Sequence, residues 1–177
     1  KKSKYTSKIL VSTDSDSVYN YVRKKKNINL DKRQNQTVNN LDLVVYDILK
    51  NKKYRKFKNV LIIFIEFPFR NELYLDKAIN SLRLFDADVI ECVRHENRLI
   101  YYHDGNGLKL LKSNKFLKAE RDNIYIRTGG VVALKVSRFM IDKKIYDNSV
   151  KIGHIIIDEK SSFSIKSLLD LKIANKI

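Results

Sequence analysis

Three places in the sequence set charged or polar side chains directly behind a strand-like run. These are Thr13-Asp14 after Lys8 to Ser12, Glu66 to Arg70 after Val60 to Ile65, and Arg94-His95 after Asp88 to Val93. If the runs are strands of an α/β sheet, the clusters stand beyond their carboxyl ends, where such folds bind ligands. The chemistry available there is recognition by charge: carboxylates at Asp14 and Glu66, a guanidinium at Arg70. Other chemistries are poorly provided for. His95, His103 and His154, taken with Cys92, show no metal-ligand spacing. A Cys92–His95 nucleophilic pair is conceivable, but Cys92 sits mid-strand, and a buried structural thiol is far commoner. No G-x-x-x-x-G-K-[ST], G-x-G-x-x-G or G-x-S-x-G pattern occurs.

The elements that must position these residues read as follows. Lys8 to Ser12 is a short strand, followed by the cap-forming Thr13 to Ser17 and a helix carrying Val18, Tyr21 and Val22. Residues 27–37 form a loop with a short strand near Ile28. Leu41, Val44, Val45, Ile48 and Leu49 make a helical stripe. Val60 to Phe67 is apolar nearly throughout, as in a strand buried on both faces. A helix over Leu73 to Phe85 turns Leu75, Ala78, Ile79 and Leu82 inward. Strands follow over Asp88 to Val93, Gly130 to Leu134 and Ile152 to Ile157, with a hairpin around Asp104-Gly105-Asn106-Gly107 and a closing helix over Ile165 to Ile177. Strand–helix alternation predicts βαβ units in a three-layer α/β/α sandwich with a mostly parallel central sheet. With no repeat and no Pro- or Gly-rich linker, the 177 residues read as a single domain.

No apolar run is long enough to cross a bilayer, and no signal peptide is visible. With one cysteine no internal disulfide can form, so a reducing compartment and a cytoplasmic location are expected. The chain opens on Lys1, which leaves room for a preceding piece. The net charge of +16 comes from twenty-six lysines against ten arginines, spread over many segments rather than gathered in one. Nucleic-acid readers exploit arginine's planar fork, so a nucleic-acid partner is disfavoured and solvated faces are expected for Arg23 to Lys26 and Lys52 to Lys56.

Several segments, in order, resemble the acylneuraminate cytidylyltransferases, which make CMP-sialic acid and similar CMP-sugars. Ile9 to Asp14 is similar to that family's "VSTD" strand end. Ile63-Phe64-Ile65-Glu66-Phe67-Pro68-Phe69-Arg70, with Leu75, Ala78 and Ile79 after it, looks like its L-Q-P-T-S-P-L-R strand and I-x-x-A-I helix. Asp86 to Ile90 looks like "ADSVVSV", Arg127 to Leu134 like "NGAIYI", and Ser162 to Ala174 like "S-x-D-I-D-T-x-x-D-L-x-I-A". The resemblance runs from about residue 8 to the end. It implies a nucleotide-diphospho-sugar transferase-like fold, transfer of CMP from CTP to an acidic sugar such as an acylneuraminate, and Mg²⁺. It also implies a homodimer whose excursion, residues 97–125 here, reaches the partner through Tyr101, Tyr102 and Phe116; the plainer reading of these three is packing under their own hairpin.

Carried over residue by residue, the resemblance places Arg33 near a nucleotide-contacting arginine and Thr37, Asn39 and Asn40 among polar nucleotide contacts. Asp14, Arg70 and Thr128 complete the candidate nucleotide- or substrate-binding set. Each has a plainer reading: a surface charge for Arg33, helix capping for Thr37, Asn40 and Asp14, and for Arg70 a tie to Glu72 or Asp76. The departures are specific. The family's phosphate-loop βα unit has no counterpart. Its strand glutamine is Phe64, its asparagine is Thr128 or Gly129, and its paired aspartates are Ser164 and Lys166. Those carboxylates would hold Mg²⁺ against phosphate oxygens, so their loss removes the expected metal ligands. Lys166 is left as a point charge that could touch phosphate directly, or as a solvated first-turn residue. An active synthetase with an altered site and a non-catalytic relative that binds a nucleotide or sugar or supports a partner subunit are therefore both open.

Overall fold

A computed structural model describes residues 3–33, 40–111 and 124–177. Its first strand, β1 (Leu10–Thr13), leads through helix α1 (Asp16–Val22) to β2 (Asn29–Lys32). Helices α2 (Leu41–Leu49) and α3 (Lys52–Arg55) precede β3 (Asn59–Ile63), and α4 (Glu72–Leu84) links it to β4 (Val89–Glu96). The hairpin of β5 (Tyr101–His103) and β6 (Leu108–Leu110) follows, then β7 (Ile124–Lys135), α5 (Val136–Asp142), β8 (Ile152–Ile156), α6 (Glu159–Ser162) and α7 (Leu168–Ala174). Side chains start these helices where the sequence places cap formers. Asn40 Oδ1 accepts the Asp42 and Leu43 amides, Asn71 Oδ1 accepts that of Leu73, and Ser167 with Asp170 closes a reciprocal capping box.

The main sheet has the order β3-β7-β4-β8. β4 and β8 are parallel, and β7 runs antiparallel to both β3 and β4. β1 and β2 pair with each other, in parallel, as a separate two-stranded sheet. Alternating residues of the main sheet feed two cores. Ile90, Cys92, Val131 and Ala133 pack with Ala78 and Leu82 of α4 on one face. On the other, Val89, Val132 and Leu134 pack with Val45 and Leu49 of α2 and Phe139 of α5. Helices on both faces make the three-layer sandwich expected from the strand–helix alternation.

Four details differ from the expectation. The strand beginning at Val60 ends at Ile63, because residues 65–69 turn back, and its apolar side chains are half-buried rather than enclosed. The strand expected over Gly130 to Leu134 extends back to Ile124 and is the antiparallel member of an otherwise parallel set. Its first half, Ile124 to Thr128, alternates half-buried and exposed residues, unlike the fully buried second half. Lys52 to Arg55 forms a helix of its own, capped by Asn51, rather than a basic helix end. The short helices α5 and α6 span barely two turns or fewer, too few for a periodic signal to stand out.

β7 bends where it passes Cys92. Glu91 lies opposite Val132 and Val93 opposite Arg127, so the stretch of β7 between them is opposed by Cys92 alone. Gly129 and Gly130 make this bend with φ of 76° and 59°. A Cβ on Gly129 would stand 2.2 Å from Ile157 Cδ1, and one on Gly130 would stand 2.2 Å from the Phe67 ring. Both conformation and space demand glycine there. Gly130→Ala is expected to lower the unfolding free energy by about 1–3 kcal/mol. Urea denaturation checks this; an unchanged midpoint would show that Phe67 moves aside without cost.

Candidate functional site

At the carboxyl end of the β1–β2 pair, the Arg33 amide donates to the Thr13 carbonyl at 2.9 Å, carrying the ladder one step past the strand. This brings the side chains of Asp14 and Arg33 together, with Nη2 donating to Oδ1 at 3.1 Å. Asp14 therefore does not cap α1; Ser15 does, its hydroxyl accepting the Val18 amide. The pair is partly exposed, yet Arg33 Nε is buried and has no hydrogen-bond partner among the described residues. A buried donor without an acceptor costs about 1–3 kcal/mol and calls for one.

The second part of the site surrounds the end of β3. The Phe64 amide donates to the Gly130 carbonyl, and the chain then turns through Glu66 to Arg70. Arg70 reaches back rather than forward: its guanidinium donates to the Phe64 carbonyl, not to Glu72 or Asp76. Burial pushes Arg70 below its ordinary range, with the neighbouring Cys92 and Glu66 acting the other way. Its Nε is also buried and unpartnered among the described residues. The rim is held by backbone groups. Ile165 donates to the Glu66 carbonyl, Ser161 Oγ to the Phe69 carbonyl, and Thr128 Oγ1 to the Ser162 carbonyl.

The remaining candidates are more dispersed. Asn40 caps α2, so its side-chain oxygen is already engaged. Thr37, Asn39 and Phe116 lie outside the described residues. Lys166 is exposed; its amide, not its ammonium, meets the Asp170 carboxylate at the entry to α7. Ser164 is half-buried. Neither offers a carboxylate, and among the described residues no cluster of three or more His, Cys, Asp or Glu could hold a metal ion. The side chains at this position do not fit Mg²⁺. No described helix is long and apolar enough to cross a membrane.

Solved structures share this fold. A 4-diphosphocytidyl-2C-methyl-D-erythritol synthase from Anaerococcus prevotii superimposes with a TM-score of 0.69 at 16% identity, covering 98% of this chain and 79% of its own. A second such synthase gives 0.69 at 12% identity, over 98% and 81%. A CMP:2-keto-3-deoxy-manno-octonic acid synthetase complexed with CTP gives 0.65 at 8% identity, over 98% and 83%. The chain has their nucleotide-diphospho-sugar transferase-like fold. No family model matches the sequence, and no curated protein does.

One cluster at this sheet was invisible in the sequence. Glu91 of β4 is 7% exposed, in an ion pair with Arg127 Nε of β7 at 3.1 Å and accepting a hydrogen bond from the Tyr146 hydroxyl. The Arg127 guanidinium lies between the rings of Phe64 and Tyr146, 5.6 and 5.3 Å from their centroids. Glu91 and Arg127 are 36 residues apart, so only the antiparallel register of β7 brings them together. Asp158 was missed as well. It sits just past β8, accepting from Tyr74 OH, Ser161 N and Ser161 Oγ, and these bonds, Tyr74's above all, hold its carboxyl down at about 2. The only sequence signal for it was Ser161 three residues on, the spacing of a helix cap.

Burial pushes the Glu91 carboxyl up from 4.5 to about 7, against the pull of Arg127. An acid whose folded pKa is raised holds its proton more tightly when folded than when unfolded. Its charged form therefore destabilises the fold, and stability falls as pH rises from about 4.5 through about 7. Denaturation midpoints across this window should decline in the parent protein. In Glu91→Gln that part of the decline should disappear; equal slopes would show that Arg127 fully compensates the charge.

Proposed function

We propose that the protein is a cytidylyltransferase-type nucleotidyltransferase that binds CTP and transfers CMP to an acidic sugar. The observation that carries this is the whole-chain likeness in fold to two diphosphocytidyl synthases and to a CMP-sugar synthetase complexed with CTP. Arg33 and Arg70 support it, because each keeps a buried N–H without an acceptor among the described residues at a carboxyl strand end, where a phosphate or a pyrimidine oxygen would supply one. Asp14 holds the Arg33 fork in place. In the reaction a sugar hydroxyl oxygen bonds to the α-phosphorus of CTP, the bond to the β-phosphate bridging oxygen breaks, pyrophosphate leaves, and the hydroxyl proton passes to solvent. Positioning and charge stabilisation of that transfer fall to the arginines. Thr128 holds the Ser162 carbonyl at the rim, Lys166 stands beside it as an exposed cation, and Asn40 caps α2.

Ser164 and Lys166, in place of the aspartates of the resembled family, favour a second reading: a relative that binds the nucleotide or sugar without turning it over. Calorimetry of CTP with and without Mg²⁺ separates the two. Magnesium-dependent binding followed by pyrophosphate release supports the synthetase. Binding indifferent to magnesium and without turnover supports the relative; no nucleotide binding overturns the synthetase, and no binding of either CTP or an acidic sugar overturns both.

Two further outcomes are expected. Arg33→Ala should weaken CTP binding about 10- to 100-fold, the loss of a charge-assisted hydrogen bond. Arg33→Lys should restore little of it, since an ammonium lacks the planar fork. The assembly is a homodimer joined through the β5–β6 hairpin, whose Tyr101 and Tyr102 are both exposed. Light scattering at micromolar concentration should give twice the monomer mass, and Tyr101→Ala with Tyr102→Ala should halve it.

A further inference from the structure

The fold gathers some of the lysines and arginines that lie scattered along the sequence. Antiparallel pairing of Asn59 with Lys135 brings the start of β3 and the end of β7 to one end of the main sheet, opposite the end where β3 leads into Arg70. A groove of about 800 Å³ opens there. Its cations come from separate stretches: Arg55, Lys56 and Lys58 before β3, Arg83 in the last turn of α4, and Lys135 at the end of β7. No carboxylate is among the described residues that line it. Asp86 pairs with Lys135 from outside the lining, and Lys56 lies over the Phe57 ring. Arg55, Lys58 and Arg83 enter no ion pair among the described residues.

The same end exposes apolar side chains. Phe57, Met140 and Ile141 line the groove, and Ile141 is 72% exposed. Leu84 and Phe85, directly after Arg83, are 78% and 61% exposed. Large apolar groups left in water beside unpaired cations fit a partner with an anionic face and an apolar interior. A bilayer carrying anionic lipids has both. A nucleic acid would take the cations but offer Leu84 and Ile141 nothing, since base stacking uses aromatic faces. A small phosphate compound would be held by fixed donors, whereas Arg55, Lys56, Lys58 and Arg83 are all exposed on long stems.

We propose that this end of the molecule docks reversibly on the surface of a bilayer carrying anionic lipids. The cations sit among the lipid phosphates and carboxylates, and Leu84, Phe85 and Ile141 enter the boundary between headgroups and acyl chains. The Arg70 end of the sheet then points away from the bilayer and stays open to solvent. The inference is independent of the nucleotidyltransferase reading, since it uses none of the residues which that reading invokes.

Flotation with vesicles tests it, using phosphatidylcholine alone and phosphatidylcholine with about 30% phosphatidylserine. The protein should float with the second and not with the first. Lys58→Gln with Arg83→Gln should weaken that binding about 30-fold. Lys160→Gln with Lys172→Gln, in the helices that follow β8, should change it less than about threefold, since those cations stand away from the surface. Leu84→Ser with Ile141→Ser leaves the charge unchanged and should still weaken binding about tenfold or more. Urea midpoints equal to the parent's show that the variants fold. Should the serine variant unfold, Ile141→Cys carrying an environment-sensitive dye reads insertion directly, because Cys92 is buried. A blue shift on the anionic vesicles then supports docking, and its absence overturns it. The proposal is also overturned by equal binding to both vesicles, by binding to neither, or by equal losses in the two glutamine variants, which would be adsorption through net charge. It is overturned if the folded serine variant binds like the parent. It is overturned too if a single-stranded oligonucleotide or pyrophosphate displaces the protein from the vesicles and binds it in a way that the Lys58 and Arg83 variant loses and the serine variant keeps; the occupant would then be a nucleic acid or a small anion.

Discussion

The structure hangs on the antiparallel insertion of β7 between β3 and β4. This strand ties β3 to the rest of the sheet, contributes Val131 and Ala133 to one core and Val132 and Leu134 to the other, and delivers Arg127 to Glu91. Its ladder cannot run straight, because Cys92 alone faces the stretch between Arg127 and Val132. Two left-handed glycines absorb the mismatch, and the same bend hands the Gly130 carbonyl to Phe64 and Thr128 to Ser162 at the end of α6. The site is therefore a consequence of a register shift: remove the bend and the rim built on Glu66, Phe69 and Ser162 has nothing to close against.

Charge is distributed differently at the surface and at the site. Most cations are lysines in solvent, where isolated pairs contribute little. Several rest on aromatic rings, as Lys25 does over Tyr21 and Lys143 over Tyr46. Arg33, Arg70 and Arg127 stand apart. They are anchored respectively by a carboxylate, a carbonyl, and a carboxylate with two rings, and the first two retain an unmet buried donor. A guanidinium held in this way presents a fixed direction to an anion, which a free lysine cannot do. The same low-dielectric setting raises the Glu91 carboxyl, so its ionisation is resisted even beside a cation.

Local chemistry settled much of this protein before any folding is considered. The strand–helix alternation, the caps at Asn40, Asn71 and Ser167, the hairpin at Asp104 to Gly107 and the inward stripe of α4 all follow from residue type and spacing, because each depends on neighbours within a turn or two. The likeness of Ile63 to Arg70 and Arg127 to Leu134 to a cytidylyltransferase pattern also pointed to the correct fold. Asp14 was legible as a candidate because it directly follows a short strand, and Arg33 because the resemblance places it near a nucleotide-contacting arginine.

Only the tertiary structure decided what those residues touch. That Asp14 meets Arg33 rather than capping α1 depends on the parallel register of β1 with β2. That Arg70 turns back to the Phe64 carbonyl depends on where β3 stops, and a run apolar through Phe67 cannot reveal that. The first half of β7 alternates half-buried and exposed residues, but its partners lie in β4, far away in sequence, and for the same reason Glu91 looked like an ordinary strand residue. Whether a strand is interior or at an edge is likewise a property of the assembled sheet: Val60 to Ile63 has the composition of an interior strand, yet among the described residues it pairs only with β7.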